Sequence, residues 1–276
     1  MPRSQPVPLP LHWEVHGEDG PPVLLLHGFG TNGYTWTRWV TALAKAHRVF
    51  VVEMKGFGAS PKPRDGRYRP QDQALLLHHL ILQQDLRELT LVGHSLGGSV
   101  LLLTALRLFE EDSSRLRKIV LVGAPVAPQP VSPFIRLAGR PWLGRILLRL
   151  VPSRFLIKTA LKWAYFDRSL VTGAAVEAYA QPLRRREGRY ALALSARQVV
   201  PEDFKDVPSR LRKLTTPTLL LWGEEDPIVP LSAGKRAEGM LPNAVLETLP
   251  ECGHMPQEEK PRESLDLVLK FLESGA

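Results

Sequence analysis

The sequence predicts an α/β fold in which a mostly parallel sheet has helices on both faces and a helical segment is inserted between two strands. Over most of the 276 residues, short apolar runs alternate with segments of helical periodicity, as in βαβ units. Residues 126–210 break this alternation, because they contain proline-punctuated helical patterns and no convincing strand. We therefore expect a core of residues 1–125 and 211–276 and a helical cap of residues 126–210.

Seven apolar runs of strand length are expected to form the sheet. Runs with few polar residues are typical of parallel strands, which are buried on both faces. In chain order the runs are residues 11–16, 23–26, 48–52, 89–92, 117–122, 218–222 and 244–249, and residues 17–22 form the turn after the first. The cap is thus expected after the fifth strand.

Five segments between these strands have helical patterns. They are residues 33–45, 70–82, 96–109, 231–240 and 261–272. Parallel strands need such crossover helices, which pack on the two faces of the sheet. Because ligands of open α/β sheets bind at the carboxyl ends of the strands, functional side chains are expected there.

The fourth strand runs directly into residues 93–98, Gly-His-Ser-Leu-Gly-Gly. A strand that reverses abruptly into a helix strains its central residue, and the neighbouring glycines avoid clashes. Ser95 is then expected to project alone, beside helix-opening amides that favour negative charge. This is the position of a nucleophile, but glycine-rich connections without catalytic function share the pattern. The rest of the sequence must therefore decide between the two interpretations.

A serine hydroxyl becomes a nucleophile when an imidazole takes its proton and a carboxylate orients that imidazole. The sixth strand is followed by Glu224, Glu225 and Asp226, and the seventh strand leads to His254. No other histidine of the eight has such a position. The resulting chain order of serine, acid and histidine is found in α/β-hydrolases and not in chymotrypsin or subtilisin.

With these motifs the chain resembles the α/β-hydrolase superfamily. Residues 220–227, Leu-Leu-Trp-Gly-Glu-Glu-Asp-Pro, and residues 253–256, Gly-His-Met-Pro, are similar to the acid and histidine loops of that family. The resemblance implies an α/β-hydrolase fold with Ser95, Asp226 and His254 as catalytic residues. Some relatives take the acid after the preceding strand, but residues 118–125 end in Gly-Ala-Pro without a carboxylate.

Residues 27–30, His-Gly-Phe-Gly, follow the second strand and resemble the oxyanion loop of the family. A tetrahedral intermediate needs two donors aimed at its oxyanion, and the resemblance implies the backbone amides of Phe29 and Leu96. The expected substrate pocket contains Gly28, His94, Trp142, Trp163 and Met255. Further aromatic candidates in the cap are Phe134, Phe155, Tyr165 and Phe166.

The same loop contains a pattern typical of dinucleotide binding. Residues 28–33 read Gly-Phe-Gly-Thr-Asn-Gly after a strand, and Glu53 lies at the end of a later strand. Two observations disfavour this interpretation. Residues 53–60 resemble a structural loop of the hydrolases, which usually opens with Asp, and a dinucleotide site would leave Ser95, Asp226 and His254 unexplained. The triad mechanism that the resemblance implies needs no cofactor and no metal ion, so neither is expected.

The positive charge of the chain is concentrated in the cap. The formal net charge is +8, and residues 131–210 contain 15 Lys or Arg against 6 Asp or Glu, compared with 21 against 22 elsewhere. Basic residues recur there every four or five positions beside apolar ones. Such spacing is found on solvated outer faces and also on surfaces that contact lipid or an anionic substrate. No nucleic-acid recognition motif accompanies the charge, so no nucleic-acid partner is expected.

The composition favours a reducing compartment. Cys252 is the single cysteine, which excludes a disulfide within the chain. The proline-rich residues 1–10 contain no apolar segment of signal-peptide length, and no run approaches the ~20 apolar residues of a membrane span. We therefore expect a cytoplasmic protein.

These residues predict a serine hydrolase that acts on a small-molecule carboxylic ester through an acyl-enzyme intermediate. The same triad serves lipases, thioesterases, lactonases, hydroxynitrile lyases and carbon–carbon bond hydrolases. The oxyanion loop lacks the Ser-Gly-Pro-Gly pattern of many carbon–carbon hydrolases, and Ser95 disfavours dehalogenases and epoxide hydrolases, which use a carboxylate nucleophile. The alternative from a different class is a receptor-like protein that binds a small molecule without turnover.

Overall fold

The computed structural model describes residues 10–127, 129–200 and 205–274. These residues form a seven-stranded sheet of β1 (His12–His16), β2 (Pro22–Leu26), β3 (Arg48–Glu53), β4 (Leu89–His94), β5 (Leu116–Val122), β6 (Thr218–Gly223) and β7 (Ala244–Leu249). The order across the sheet is β1-β3-β2-β4-β5-β6-β7. The pair β1 and β3 is antiparallel and every other pair is parallel. The predicted fold class is confirmed.

The strands alternate with helices along the chain. The described α-helices are α1 (Thr37–Leu43), α2 (Pro70–Gln83), α3 (Leu96–Asp112), α4 (Pro133–Gly139), α5 (Leu143–Leu150), α6 (Ser153–Ala164), α7 (Gly173–Ala180), α8 (Arg186–Gln198), α9 (Val207–Leu211), α10 (Leu231–Glu238), α11 (Pro256–Glu259) and α12 (Pro261–Glu273). Short 3₁₀ helices lie at Gly33–Trp36, Ser113–Arg115, Arg168–Leu170 and Gln181–Arg184. The five helices predicted between strands are therefore present, and the first of them begins as a 3₁₀ turn.

Alternate residues of each central strand face opposite helical layers, because successive side chains of a strand point to opposite faces. Leu24 and Leu26 of β2 pack in one apolar cluster with α2, α3 and α10. Val23 and Leu25 pack in a second cluster with α1 and α12. Since both faces of the sheet are covered, the strands are nearly continuous apolar runs.

Between β5 and β6, the part of the chain that the structure describes contains the six helices α4–α9 and no strand. We call these six helices the helical insertion. Apolar residues of the insertion, among them Leu161, Val176 and Leu192, belong to the same cluster as α2 and α3. The insertion and the core therefore share one apolar interior.

Within residues 10–127, 129–200 and 205–274, every helix is too short or too polar to cross a bilayer. Residues 1–9, in which the sequence predicts no secretory segment, lie outside the described residues.

Candidate active site

Ser95 lies at the turn between β4 and α3. Its φ of 51° falls in the left-handed region, which L residues rarely adopt. The flanking glycines make the turn possible, since a Cβ on Gly93 would lie 2.6 Å from the Cα of Gly98. The Ser95 amide donates to the carbonyl oxygen of Val122 on β5 at 2.9 Å. The sheet thus fixes the Ser95 hydroxyl at the carboxyl end of β4.

The side chains of Ser95, His254 and Asp226 form one hydrogen-bonded chain. Nδ1 of His254 lies 2.7 Å from Oδ2 of Asp226, and Nε2 lies 2.9 Å from Oγ of Ser95. An ionised carboxylate only accepts, so Nδ1 carries the proton and Nε2 accepts from the Ser95 hydroxyl. The side chains of His254 and Asp226 are almost fully buried. Three residues that lie far apart in the sequence are therefore arranged for proton transfer.

The backbone after β6 holds the Asp226 carboxylate in place. Its Oδ1 accepts from the amides of Ile228 at 2.8 Å and Val229 at 2.9 Å, which leaves Oδ2 for His254. The neighbouring Glu224 and Glu225 are hydrogen-bonded elsewhere, to the Thr248 hydroxyl and to the Cys252 amide. Of these three carboxylates, Asp226 is the one that reaches the histidine.

A buried carboxylate fixes the loop that carries His254. Glu259 accepts from the backbone amides on both sides of His254, at 3.1 Å each, and from the amide of Phe166 at 2.7 Å. The amide of His254 itself donates to the carbonyl of Ala164 at 2.8 Å. Burial raises the pKa of the Glu259 carboxyl. The histidine loop is therefore attached directly to the end of α6.

A second buried carboxylate joins the helical insertion to the core. Glu258 accepts from the hydroxyl groups of Thr35 at 2.7 Å, Tyr165 at 2.7 Å and Tyr179 at 2.6 Å. Tyr179 lies on α7, whereas Thr35 belongs to the core. Burial raises the pKa of Glu258 and of both tyrosine hydroxyls. Sequence reasoning missed Glu258 and Glu259, whose only local signal was two adjacent acids shortly after His254.

His94 packs against His254 and forms a hydrogen bond with its backbone. Its Nε2 donates to the carbonyl of His254 at 2.8 Å, and the two ring centroids are 4.8 Å apart. Burial, with a smaller contribution from His254, holds the pKa of His94 well below its usual range, so the ring is neutral. A Cβ on Gly28 would lie 2.7 Å from Nδ1 of His94 and 3.1 Å from Cβ of Ser95. Glycine at position 28 therefore leaves room for both side chains.

The geometry around Phe29 and Leu96 agrees with their predicted role as oxyanion donors. Leu96 is the first residue of α3, so its amide has no acceptor within the helix. Phe29 follows Gly28, whose backbone approaches Ser95, and its ring packs against Phe57 with centroids 5.9 Å apart. Both amides thus belong to residues beside the nucleophile, and their role in catalysis stays a prediction.

Two apolar cavities meet at Ser95. Cavity A lies beside α3 and α9 and includes Leu102, Leu103, Val126, Val199 and Val207 among its lining residues. Cavity B lies under the helical insertion and includes Leu148, Leu156, Ile157, Trp163 and Met255. Besides Ser95, four residues line both cavities, namely Phe29, Ser132, Ile135 and Ile228. Among the described residues, neither cavity has a Lys, Arg, Asp or Glu in its lining.

Three of the five predicted pocket residues line one of the two cavities. His94, Trp163 and Met255 line cavity B, as does Phe134. The prediction for Trp142 is wrong: it is 80% exposed at the start of α5, because the inward side of this helix is occupied by Leu148. Gly28 does not line either cavity, since the side chains of His94 and Ser95 cover it.

The remaining aromatic candidates differ in their surroundings. Phe155 and Phe166 are exposed, and Tyr165 is buried against Glu258. The polar and aliphatic residues that line both cavities, such as Ser132 and Ile228, were not predicted. The only indication in the sequence that these residues line a cavity was their position in the loops that follow β5 and Asp226.

Glu53 has a structural role that disfavours dinucleotide binding. One carboxylate oxygen accepts from the Gly33 amide at 3.1 Å, and the other accepts from the Ala59 amide. Both oxygens are thus used to tie two loops together. In the described ranges, no three His, Cys, Asp or Glu side chains lie close enough together to hold a metal ion.

The fold and the site together define a class of hydrolases. A model of the alpha/beta hydrolase fold family matches residues 21–261, and the chain belongs to this family. It is 26% identical to a 2-hydroxy-6-oxononadienedioate/2-hydroxy-6-oxononatrienedioate hydrolase of Cupriavidus pinatubonensis (strain JMP 134 / LMG 1197), over 95% of this chain and 90% of the relative.

Two solved structures resemble the chain over nearly its whole length. The meta-cleavage product hydrolase from Pseudomonas fluorescens IP01 is 26% identical with a TM-score of 0.80, covering 95% of this chain and 93% of the other. A thermophilic esterase from Thermogutta terrifontis is 25% identical with a TM-score of 0.78, covering 95% and 92%. The similar proteins therefore include both a meta-cleavage product hydrolase and an esterase.

Proposed function

We propose that the protein is a serine carboxylesterase that hydrolyses uncharged esters with apolar groups on both sides of the carbonyl. The observation that carries this proposal is the hydrogen-bonded chain of Ser95, His254 and Asp226 at the point where cavities A and B meet. A nucleophile between two apolar cavities suits a substrate that extends in two directions from its reacting carbon. One cavity would hold the acyl group and the other the alcohol.

In the proposed mechanism, Nε2 of His254 takes the proton of Ser95 as Oγ attacks the acyl carbon. The amides of Phe29 and Leu96 stabilise the oxyanion of the tetrahedral intermediate. His254 then protonates the leaving alcohol, and an acyl group remains on Ser95. A water molecule, deprotonated by His254, attacks this acyl-enzyme and releases the acid. Asp226 keeps the imidazole in the required tautomer and stabilises its charged form.

The lining of the cavities supports an uncharged substrate. Burying a carboxylate without a cationic partner is costly, and neither cavity offers a Lys or Arg among the described residues. The hydrolase of C. pinatubonensis acts, by its name, on a dicarboxylate. An apolar ester needs no such partner and gains from burial of its hydrocarbon, at about 0.8 kcal/mol per CH₂ group.

The second candidate function is hydrolysis of a carbon–carbon bond in a ring-cleavage product. It is favoured by two similar proteins, the hydrolase of C. pinatubonensis and the meta-cleavage product hydrolase of P. fluorescens, which are 26% identical to the chain over 95% of its length. The same triad serves both reactions. The two candidate functions differ in whether the substrate carries a carboxylate that needs a cationic partner in cavity A or B.

A panel of p-nitrophenyl esters from acetate to palmitate tests the esterase proposal. We expect turnover that peaks at an intermediate or long chain length and that falls by roughly 10⁶-fold in Ser95→Ala. Ser114→Ala is the matched control, because this serine is exposed and lies just before β5, at the end of the strand opposite Ser95. Absence of ester hydrolysis, together with turnover of a 2-hydroxy-6-oxo-dienoate, would establish the second candidate instead.

We also propose a cytoplasmic location. Cys252 is a free, buried cysteine, and burial raises the pKa of its thiol, which keeps it protonated and unreactive. A chain without disulfides suits a reducing compartment. Fractionation of cells that express the protein at its native level tests this location, and recovery from the medium or the periplasm would contradict it.

A further inference from the structure

The outer surface of the helical insertion carries an apolar ridge. Trp142, Leu143, Ile146 and Leu150 are between 51% and 80% exposed. Residues 143, 146 and 150 are spaced at three and four positions, so their side chains share one face of α5. Soluble proteins rarely expose several large apolar side chains side by side unless the patch contacts a partner.

An arginine-rich groove borders this ridge. Its lining includes the six arginines Arg64, Arg140, Arg149, Arg186, Arg189 and Arg197, with no Asp or Glu. In the described part of the chain, none of the six forms an ion pair with a carboxylate. Arg149 belongs to α5, and Arg140 lies shortly before the helix begins, so groove and ridge meet along one helix.

Two contacts hold arginines of the groove without neutralising their charge. Nε of Arg189 donates to the carbonyl of Leu183 at 2.7 Å, which fixes the guanidinium without cancelling its charge. The guanidinium carbon of Arg64 lies 5.5 Å from the ring centroid of Tyr190, an arrangement that also preserves the charge. Arg140, Arg149, Arg186 and Arg197 are exposed.

We propose that the ridge and the groove together dock the helical insertion onto an anionic lipid bilayer. Tryptophan and aliphatic side chains enter the interfacial region of a bilayer, and neighbouring arginines bind the phosphates of anionic lipids. The charge complementarity selects this occupant. A second copy of the chain would place six arginines against six, and a nucleic acid would leave the apolar ridge without a partner.

The position of α5 connects this surface with the site. Leu148 on the same helix is buried and lines cavity B, opposite the exposed ridge. A single helix thus separates the proposed bilayer contact from the cavity that reaches Ser95. Docking would bring cavity B close to apolar molecules dissolved in the bilayer.

Co-sedimentation with vesicles of phosphatidylcholine, with and without phosphatidylglycerol, tests the docking. The Ser95→Ala protein is used, so the readout is binding alone and is independent of the proposed esterase activity. We expect retention only with phosphatidylglycerol and loss of retention in high salt, since the Debye length is about 10 Å at 0.1 M. Retention that is equal on both vesicles, or absent at low salt, would overturn the proposal.

Matched variants separate the ridge from the groove. Leu150→Glu should lower the vesicle partition coefficient by roughly tenfold or more, whereas Leu75→Glu, an exposed leucine on α2, should not. The triple variant Arg140→Ala/Arg149→Ala/Arg197→Ala should lose binding, and Arg212→Ala/Arg236→Ala/Arg262→Ala, with the same net charge, should keep it. Equal losses in either matched pair would contradict a specific surface.

Quenching by brominated lipids reports insertion directly. We expect brominated phosphatidylcholine in the anionic vesicles to quench part of the tryptophan fluorescence, and Trp142→Phe to remove that part. Binding to a soluble polyanion with no retention on anionic vesicles would mean that the groove takes a soluble acidic partner, and the bilayer proposal would then be wrong. Circular dichroism spectra of each variant check that the fold is intact.

Discussion

The core and the helical insertion use their side chains in opposite ways. In the core, each triad residue follows a strand and is held by backbone amides or carbonyls, and the charges outside residues 131–210 nearly cancel. The insertion presents apolar side chains inward to cavity B and arginines and apolar side chains outward. Under the two proposals, the core supplies the chemistry, whereas the insertion decides which molecules reach the site and where the protein binds.

The largest effect expected in this comparison comes from the catalytic base. His254→Ala removes the group that accepts the Ser95 proton, so kcat for a p-nitrophenyl ester should fall by roughly 10⁵- to 10⁶-fold. His79→Ala, an exposed histidine on α2, should leave kcat unchanged. Steady-state kinetics measure both variants, and comparable losses in the two would break the assignment of chemistry to the His254 loop.

A smaller loss is expected from the acid. Asp226→Asn keeps the volume of the side chain but favours the wrong tautomer of His254, and kcat should fall by roughly 10⁴-fold. Glu224→Gln changes a neighbouring carboxylate that binds Thr248 and should have little effect. If Glu224→Gln were the more damaging change, the acid would have been assigned to the wrong residue.

Two tryptophans of the insertion provide a matched test of its role. Trp163 lines cavity B, and Trp142 lies on the outer surface. Trp163→Ala enlarges the cavity and should shift kcat/KM between short and long acyl chains by about 10- to 100-fold, while Trp142→Ala should leave chain-length preference unchanged with soluble esters. A chain-length profile that is altered by Trp142→Ala and not by Trp163→Ala would mean that Trp142, and not Trp163, contacts the substrate.

The smallest predicted effect concerns Glu258, which connects the two regions. Burial raises the pKa of Glu258 in the folded protein above the usual 4.5. The contribution of Glu258 to the free energy of unfolding is therefore complete below pH 4.5 and is lost as the pH rises through the pKa that this carboxyl has in the folded protein. Relative to Glu258→Gln, the free energy of unfolding of the wild type should therefore fall as pH increases from below 4.5.

Urea unfolding of both proteins at a series of pH values measures this difference. Glu259 has a similarly raised pKa and is present in both proteins, so its contribution cancels in the comparison. A difference that is independent of pH, or that grows with pH, would contradict the burial argument for Glu258.

The parts of the molecule that local sequence determines were predictable. A strand must be apolar to lie inside a covered sheet, and the turn at Ser95 requires glycines at Gly93 and Gly98, so both leave a pattern within a few residues. The order of serine, acid and histidine was likewise visible from the ends of three runs, whereas the choice of Asp226 over Glu224 and Glu225 rested on the resemblance to the hydrolases.

Features that depend on packing between residues far apart in the sequence were not predictable. Glu258 meets hydroxyl groups from Thr35, Tyr165 and Tyr179, and no local pattern links these residues. The error at Trp142 has the same origin, because the face of α5 that turns inward depends on how the insertion packs. Amphipathic spacing located the helices of the insertion but did not fix which aromatic side chains enter the cavity.

Labelling with a fluorophosphonate tests the central claim most directly. The reagent phosphonylates a serine that a histidine activates, and peptide mass spectrometry locates the adduct. We predict a single adduct on Ser95 that is abolished in His254→Ala. An adduct on another residue, or none on the folded wild-type protein, would contradict the account that Ser95 is the nucleophile supplied by the core.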